Sequence, residues 1–332
     1  LTEQEDTPMP ATLTRRAALA AALTAPAIAR AQEGYPSRPI RLVVPWPPGG
    51  PIDLASRPVA VRMAELLGQP VVIENRGGAN GTIGAMHVAQ AAPDGYTLLI
   101  ASPGPVSISP LARGQAAQEP LKLFAPVCQL LSSPSALVVR KDLPARDLAG
   151  LVALARARPG ALTYASAGPA SINHLSGATL AARAGIDILH IPYQGAAPAL
   201  TDLIAGRIDM GFLGIGVALP LVQQGHARAL AVGNLKRAAA MPDVPTVAES
   251  YPGFQADNWY GILAPLNTPR PIVERLHREA VAAVRTPAVT RSMIEAGNEP
   301  AASESPEAFH AMMAEDVERW RDSVRAAGLR PD

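Results

Sequence analysis

The sequence has little of what metal, redox or nucleophilic chemistry requires. Its 332 residues include one cysteine, Cys128, and aromatic side chains make up only 4%. One cysteine excludes an intrachain disulfide and a cysteine-cluster metal site. Set among Val127, Leu130 and Leu131, it is expected to be a buried small hydrophobe. The formal net charge is +1, and no basic run carries interleaved aromatics. Nucleic acid or an anionic membrane surface therefore finds nothing to hold. The six histidines are scattered, without HExxH spacing, and neither a G-x-S-x-G elbow nor a Walker loop occurs. No carboxylate cluster implies a metal cage. The expectation is a monomer with no metal and no cofactor.

A hydrophobic fraction of 48% supports a sizeable core. The length fits two domains on a prior of about 100 to 200 residues each. Thr14–Ala31 reads TRRAALAAALTAPAIARA: two arginines, a short run of small apolar residues, then an A-x-A pattern. That is the grammar of an export signal cut after Ala31. The arginine pair resembles a twin-arginine signal, but Ala18 stands where a larger hydrophobe is usual, so the general secretory route stays open. Residues 1–8 read as a non-native upstream extension, with Met9 as the start. Removing residues 1–31 takes away three basic and three acidic side chains, leaving the net charge unchanged. No later segment is apolar for long enough to span a bilayer, so an exported, periplasmic protein is expected.

The informative stretch is IRLVVPWPPGGPID, Ile40–Asp53. An apolar strand breaks into a loop stiffened by prolines and opened by Gly49 and Gly50, and a helix follows. Pro51 suits the first helical turn, and Asp53 can accept from backbone donors there. The first amides of a helix lack internal partners and lie at the positive end of its dipole, so they can receive a carboxylate. The loop, Trp46 included, is read as half of an anion site.

The pattern recurs. A helix over Leu54–Leu67 ends at Gly68; a strand over Val71–Ile73 runs into the Gly-rich loop Glu74–Gly81; and a helix begins near Thr82. Gly78, Gly81 and Gly84 are spaced G-x-x-G-x-x-G, which is not the dinucleotide fingerprint. A third strand over Tyr96–Ala101 ends at Ser102, and Phe124–Val139 is long enough for two strands leading from one domain to the next. Further on, strands are expected at Leu162–Ala165, Ile186–Ile191, Ile208–Phe212 and Asp257–Ala264. Helices are expected at Leu148–Arg158, Ile172–Ala184 and Pro198–Ala205. Strict alternation implies parallel α/β units. Met241–Val247, with two prolines, reads as a rigid surface turn. Phe309, Met312, Met313, Val317, Trp320 and Val324 make the core face of a C-terminal helix.

In order and spacing, several segments together resemble the exported receptors of tripartite tricarboxylate transporters, the Bug receptors. They are YPSRPIRLVVPWPPGGPIDLASR, GQPVVIENRGGANGTIGA, PDGYTLL, FAPV, RPGALTYASAG, HIPYQGAAPALTDLIAGRIDM, ALAV, MPDVPTVAES and WYGILAP. The resemblance implies a two-domain periplasmic binding protein of the Venus-flytrap, type II-like kind, each domain a mostly parallel sheet flanked by helices. Domain 1 would comprise residues 32–137 and 256–332, and domain 2 residues 138–255, the C-terminal helix returning to domain 1. It implies a small carboxylate ligand handed to membrane permease subunits. The implied contacts are Pro48, Gly49, Gly50, Asp53, Asn80, Gly81 and Ser102 in domain 1, and Ser166, Ala167, Gly168, Ser171, His174 and Tyr193 in domain 2. Two departures make the rim less charged: Gln194 replaces the lysine of Tyr-Lys-Gly, and Leu213-Gly214 stands where an Asp-Asn pair is common.

Glycines, small alcohols and amides in these loops suit binding by N–H and hydroxyl groups rather than proton transfer. Two alternatives stay open at this level. One is an exported isomerase or hydrolase acting on small organic acids through His174 and Asp53. The other is a receptor that reports to a membrane sensor.

Overall fold

The computed structural model describes residues 34–114 and 122–329; the expected export signal over residues 1–31 lies outside them. In chain order the first elements are β1 (Ile40–Val44), α1 (Pro51–Leu67), β2 (Val71–Asn75), α2 (Thr82–Ala89), β3 (Thr97–Ala101), α3 (Ser109–Ala112) and β4 (Phe124–Ser133). Next come β5 (Ser135–Arg140), α4 (Leu148–Ala157), β6 (Thr163–Ser166), α5 (Ile172–Ala184), β7 (Leu189–Pro192), α6 (Ala196–Ile204), β8 (Met210–Gly214), α7 (Ile215–Gln223) and β9 (Ala227–Val232). The chain ends with β10 (Asn258–Pro265), α8 (Arg270–Val284), α9 (Pro287–Glu295), β11 (Glu299–Pro300) and α10 (Pro306–Ala326).

These strands form two sheets, β11-β4-β10-β3-β1-β2 and β7-β6-β8-β5-β9, within one compact unit that begins at Arg38. Helices flank both, as a two-lobed α/β fold requires. The strands β1, β2 and β3 are parallel, as are β6, β7 and β8. The sheets as wholes are mixed, which modifies the mostly parallel reading: β10 runs antiparallel to β3 and β4, and β5 antiparallel to β8 and β9. The reason is the crossover. The chain leaves the first sheet at Ser133 and enters the second at Ser135, so β5 starts at the end where β8 finishes, and Ser135 pairs with Gly214.

Strands buried on both faces carry unbroken apolar sequence. All five residues of β3 and four of the five in β1 are buried. The first lobe's core joins Val43, Leu99, Trp259, Leu263, Phe309 and Met313. In the second lobe Leu137, Val139, Leu151, Leu180, Phe212 and Phe254 pack together.

The crossover is tied by short bonds. Ser135 Oγ donates to Ala256 O at 2.5 Å, the Gly233 amide to Ser135 O at 2.7 Å, and the Ala256 amide to Gly233 O at 2.8 Å. The C-terminal helix α10 returns to the first lobe, where buried Asp316 accepts from the Trp259 indole at 3.0 Å and Arg319 reaches Asp257 at 2.8 Å. Of the expected stripe, Phe309, Met313, Val317, Trp320 and Val324 are buried and Met312, at its edge, is half-buried. The segment Met241–Val247 is a turn, but Met241 and Val247 are buried anchors.

Candidate functional site

Three loops of the first lobe converge at the carboxyl ends of β1, β2 and β3. Around Gly104 lie Asn80, about 3.5 Å away, and the Trp46 ring at 3.7 Å from the position a Cβ would take. Asn80 donates to Ser109 Oγ at 3.2 Å. At Gly84 on α2 a Cβ would fall 2.6 Å from Arg76 O and 2.8 Å from Pro45. Close helix packing on the first loop explains the third glycine of the G-x-x-G-x-x-G run.

Asp53 holds the first loop together. Fully buried, it accepts from the Gly49 amide at 2.9 Å, from Arg57 Nε at 2.9 Å and Nη2 at 3.0 Å, and from Asn75 Nδ2 at 2.9 Å. Burial pushes its carboxyl upward, but the bonds from Arg57, Gly49 and Asn75 with the Arg57 charge outweigh that and hold it below the ordinary carboxylate range. Both oxygens are thereby occupied, so Asp53 positions the loop, and the Gly49 amide is turned inward. What remains for an anion is the uncapped start of α1. Pro51 has no N–H and the first helical bond runs from Leu54 to Gly50, so the amides of Ile52 and Asp53 lack intrahelical partners. The buried Trp46 Nε1 is also without a partner. Pro48 is exposed on the loop, and Ser102 is buried at the end of β3.

In the second lobe, Ser166 ends β6 and is followed by a tight turn. Its Oγ contacts Gly168 O at 3.1 Å, accepts from the Gly168 amide at 3.1 Å, and lies 2.7 Å from His190 Nε2. Ala167 is half-buried beside it. Ser171 caps α5 by accepting from the His174 amide at 3.3 Å, and its hydroxyl donates to Gly168 O at 2.6 Å. His174 Nδ1 accepts from the Ala170 amide at 3.2 Å, which places the ring's proton on Nε2. The His174 and His190 rings stack at 3.8 Å, with Tyr164 5.0 Å beyond His190. Burial, reinforced by His190, pushes His174 down to about 4, and burial lowers His190 as well. This stack is therefore neutral at ordinary pH.

Tyr193 stands beside this turn, its amide donating to Ser166 O at 3.0 Å, but its hydroxyl donates outward to Asp202 at 2.7 Å. Sequence reasoning omits His190 and Tyr164 from the site. The only signal for His190 is its place in HIPYQG, three residues before the expected contact Tyr193.

The two halves meet. Ile108 and Leu111, just past Ser102, pack against Leu175, Ile172 and Ala170 of the second lobe, with Trp320 and Val324 of α10 completing the cluster. Backbone strain is concentrated here too. Of the four non-glycine residues with positive φ among the described residues, Ala79 (φ 48°), Asn80 (φ 54°) and Ala170 (φ 58°) sit in the facing loops. Such conformations persist where the surroundings over-determine them, and they gather at binding sites. No group of three or more histidine, cysteine or acidic side chains that could hold a metal occurs among the described residues.

Residues 55–329 match the model of the tripartite tricarboxylate transporter family receptor. The chain belongs to that family. Its relatives include a UPF0065 protein in the tcbD-tcbE intergenic region of Pseudomonas sp. strain P51. That protein is 40% identical over 294 residues, spanning 88% of this chain and 87% of the relative. BugT of Bordetella pertussis is 36% identical over 302 residues, 89% of this chain and 91% of its own. Among solved structures, MatC from Rhodopseudomonas palustris with bound malate shares 34% identity at a TM-score of 0.75, covering 87% of this chain and 100% of that one. R. palustris Rpa4515 with adipate shares 34% identity at a TM-score of 0.78, covering 89% and 98%. The receptor family is one of solute binding, not catalysis.

Proposed function

We propose that this receptor is an extracytoplasmic solute-binding protein that captures a small organic carboxylate between its lobes and delivers it to the membrane permease of a tripartite tricarboxylate transporter. It acts as a monomer in the periplasm, after export by the Sec or Tat route and cleavage behind Ala31. Its domains are residues 32–137 with 256–332, and 138–255, with the first crossing itself at Pro134, three residues ahead of that boundary, where the chain changes sheet. The malate and adipate held by MatC and Rpa4515 support the ligand class.

The observation that carries the reading is the uncapped start of α1, preceded by a loop that holds the unpartnered Trp46 indole, with neutral donors and no cation in the turn after β6. A carboxylate satisfies those donors. Trp46, Pro48, Gly50, Asn80, Gly81 and Ser102 line the first half, with Gly49 and Asp53 fixing the loop. Ser166, Ala167, Gly168, Ser171 and His174 line the second, with Tyr193 behind them. Closure lets both sets share one ligand, and the difference in affinity between open and closed forms drives it.

The test is Gly50→Val. A Cβ there sits 3.4 Å from Pro47 O, an ordinary contact at φ −73°, so the fold survives, while the branched side chain covers the helix start. Mass spectrometry of acids released on unfolding should recover a stoichiometric carboxylate from wild type and none from the variant. Equal recovery from both would refute the placement of the site.

A further inference from the structure

Three polar atoms surround the Ser166 hydroxyl at the end of β6, and the protons among them can be counted. Gly168 N lies 3.1 Å from Oγ, Gly168 O 3.1 Å, and His190 Nε2 2.7 Å. A hydroxyl has one proton to give and two lone pairs with which to accept. The Gly168 amide fills one lone pair with its own proton. The contacts to Gly168 O and to His190 Nε2 then need a proton each, and Ser166 supplies only one. A carbonyl has none to offer, so Ser166 donates to Gly168 O and His190 Nε2 carries the other. Burial lowers the His190 pKa, so the ring holds that single proton at ordinary pH and its Nδ1 is bare.

Gly168 O also accepts a shorter bond, 2.6 Å, from Ser171 Oγ. The Ser166 proton is therefore the one that can leave: Gly168 O keeps Ser171 when Ser166 turns to an incoming acceptor, while His190 and the Gly168 amide keep Oγ in place. The His190 ring is itself held. It stacks on His174 at 3.8 Å and 15°, and His174 is fixed in turn by the Ala170 amide at 3.2 Å. A hydroxyl whose lone pairs are both filled can only donate, and it suits a partner with no proton of its own, such as a carboxylate. We propose that His190 is a positioning residue of the carboxylate site: its Nε2–H fills the second lone pair of Ser166 and so commits that hydroxyl to donating to the bound acid. The inference rests on the carboxylate-receptor reading above, and it adds to the second lobe a residue that works through Ser166 without touching the acid.

Nitrogen–proton correlation spectra of histidine-labelled protein at neutral pH read the tautomer with no ligand present. The His190 signals, identified by their loss in His190→Gln, should show a protonated Nε2 and a bare Nδ1. The Nε2 proton should be visible in wild type and lost to exchange in Ser166→Ala. Calorimetry then titrates malate, adipate and the acid recovered from unfolded wild type. His190→Phe, which keeps an aromatic ring in the stack but removes the donor, should weaken the tightest of these at least about tenfold. His190→Gln, whose amide nitrogen can take the place of Nε2, should restore most of that loss. In a Ser166→Ala background His190→Phe should have no further effect, whereas a residue that only packs would weaken both backgrounds alike. A protonated Nδ1, or an equal His190→Phe loss in the two backgrounds, would overturn the assignment and leave the receptor reading standing. A wild type that releases no acid and binds neither malate nor adipate would overturn the receptor reading, and this inference with it, whichever tautomer is found.

Discussion

At the scale of single residues, His174 sets a pH dependence that no charge count reveals. The folded protein holds this imidazole at about 4, whereas the unfolded chain releases it to the ordinary value of 6.5. Above 6.5 neither state is protonated and the contribution to stability is complete. As pH falls from 6.5 toward 4 the unfolded chain binds the proton and the folded one does not, so stability is lost across that window. After allowance for solvent screening the loss is roughly 1–2 kcal/mol. Thermal melts should therefore show a falling melting temperature from pH 6.5 to 4, and His174→Asn should flatten most of that slope. A variant with an unchanged slope would assign the effect elsewhere. This stack was hidden in the sequence because one ring comes from a helix and the other from a strand. Only the parallel pairing of β6 and β7, which puts His190 opposite Tyr164, brings them together. Asp53 shows the converse. Its position at the helix start was legible, but its partners Arg57 and Asn75 turn it from a ligand contact into the brace of its own loop.

At the scale of elements, the repeated strand, glycine loop and helix were legible because burial on both faces leaves an apolar strand, and proline and glycine mark its end. The expected helix Ile172–Ala184 stands as α5, with Ser171 as its cap and Gly185 as its stop. What escaped was α7, IGVALPLVQ, whose apolar residues run all round and whose Pro220 reads as a breaker. Also unread were α8 and α9, where the sequence was assigned no element between Ala264 and Pro306. The segment after Ser102, to which the sequence reading assigns no element, is helical from Gly104 to Ala112. Element packing makes a further prediction at Gly84. An alanine there must push Arg76 O or Pro45 aside, at a cost of about 1–3 kcal/mol. In urea, Gly84→Ala should lower the midpoint with the slope unchanged and weaken carboxylate binding, since Pro45 opens the first loop. Full binding in a destabilised variant would uncouple that packing from the site.

At the scale of the whole molecule, the two lobes touch through an apolar cluster formed by Ile108, Leu175, Trp320 and Val324. None of these side chains has a polar group to offer a carboxylate apart from the Trp320 indole, which is buried without a partner. Leu175→Ala should cost about 2–5 kcal/mol, and it should also loosen the contact between the lobes. Small-angle scattering should then give a larger radius of gyration than wild type under the same conditions. A lowered melting temperature with an unchanged radius would make the cluster ordinary core.

The paired crossings at Ser135 and at Gly233–Ala256, joined by two short bonds with a third inside the second crossing, have a mechanical consequence. A door hung on one pin can swing and also twist; hung on two, it keeps a single axis. The lobes of this receptor are hung on two. Two crossings confine any relative motion of the lobes to one angle, so every point on the rim carries the same information about how far the cleft has closed.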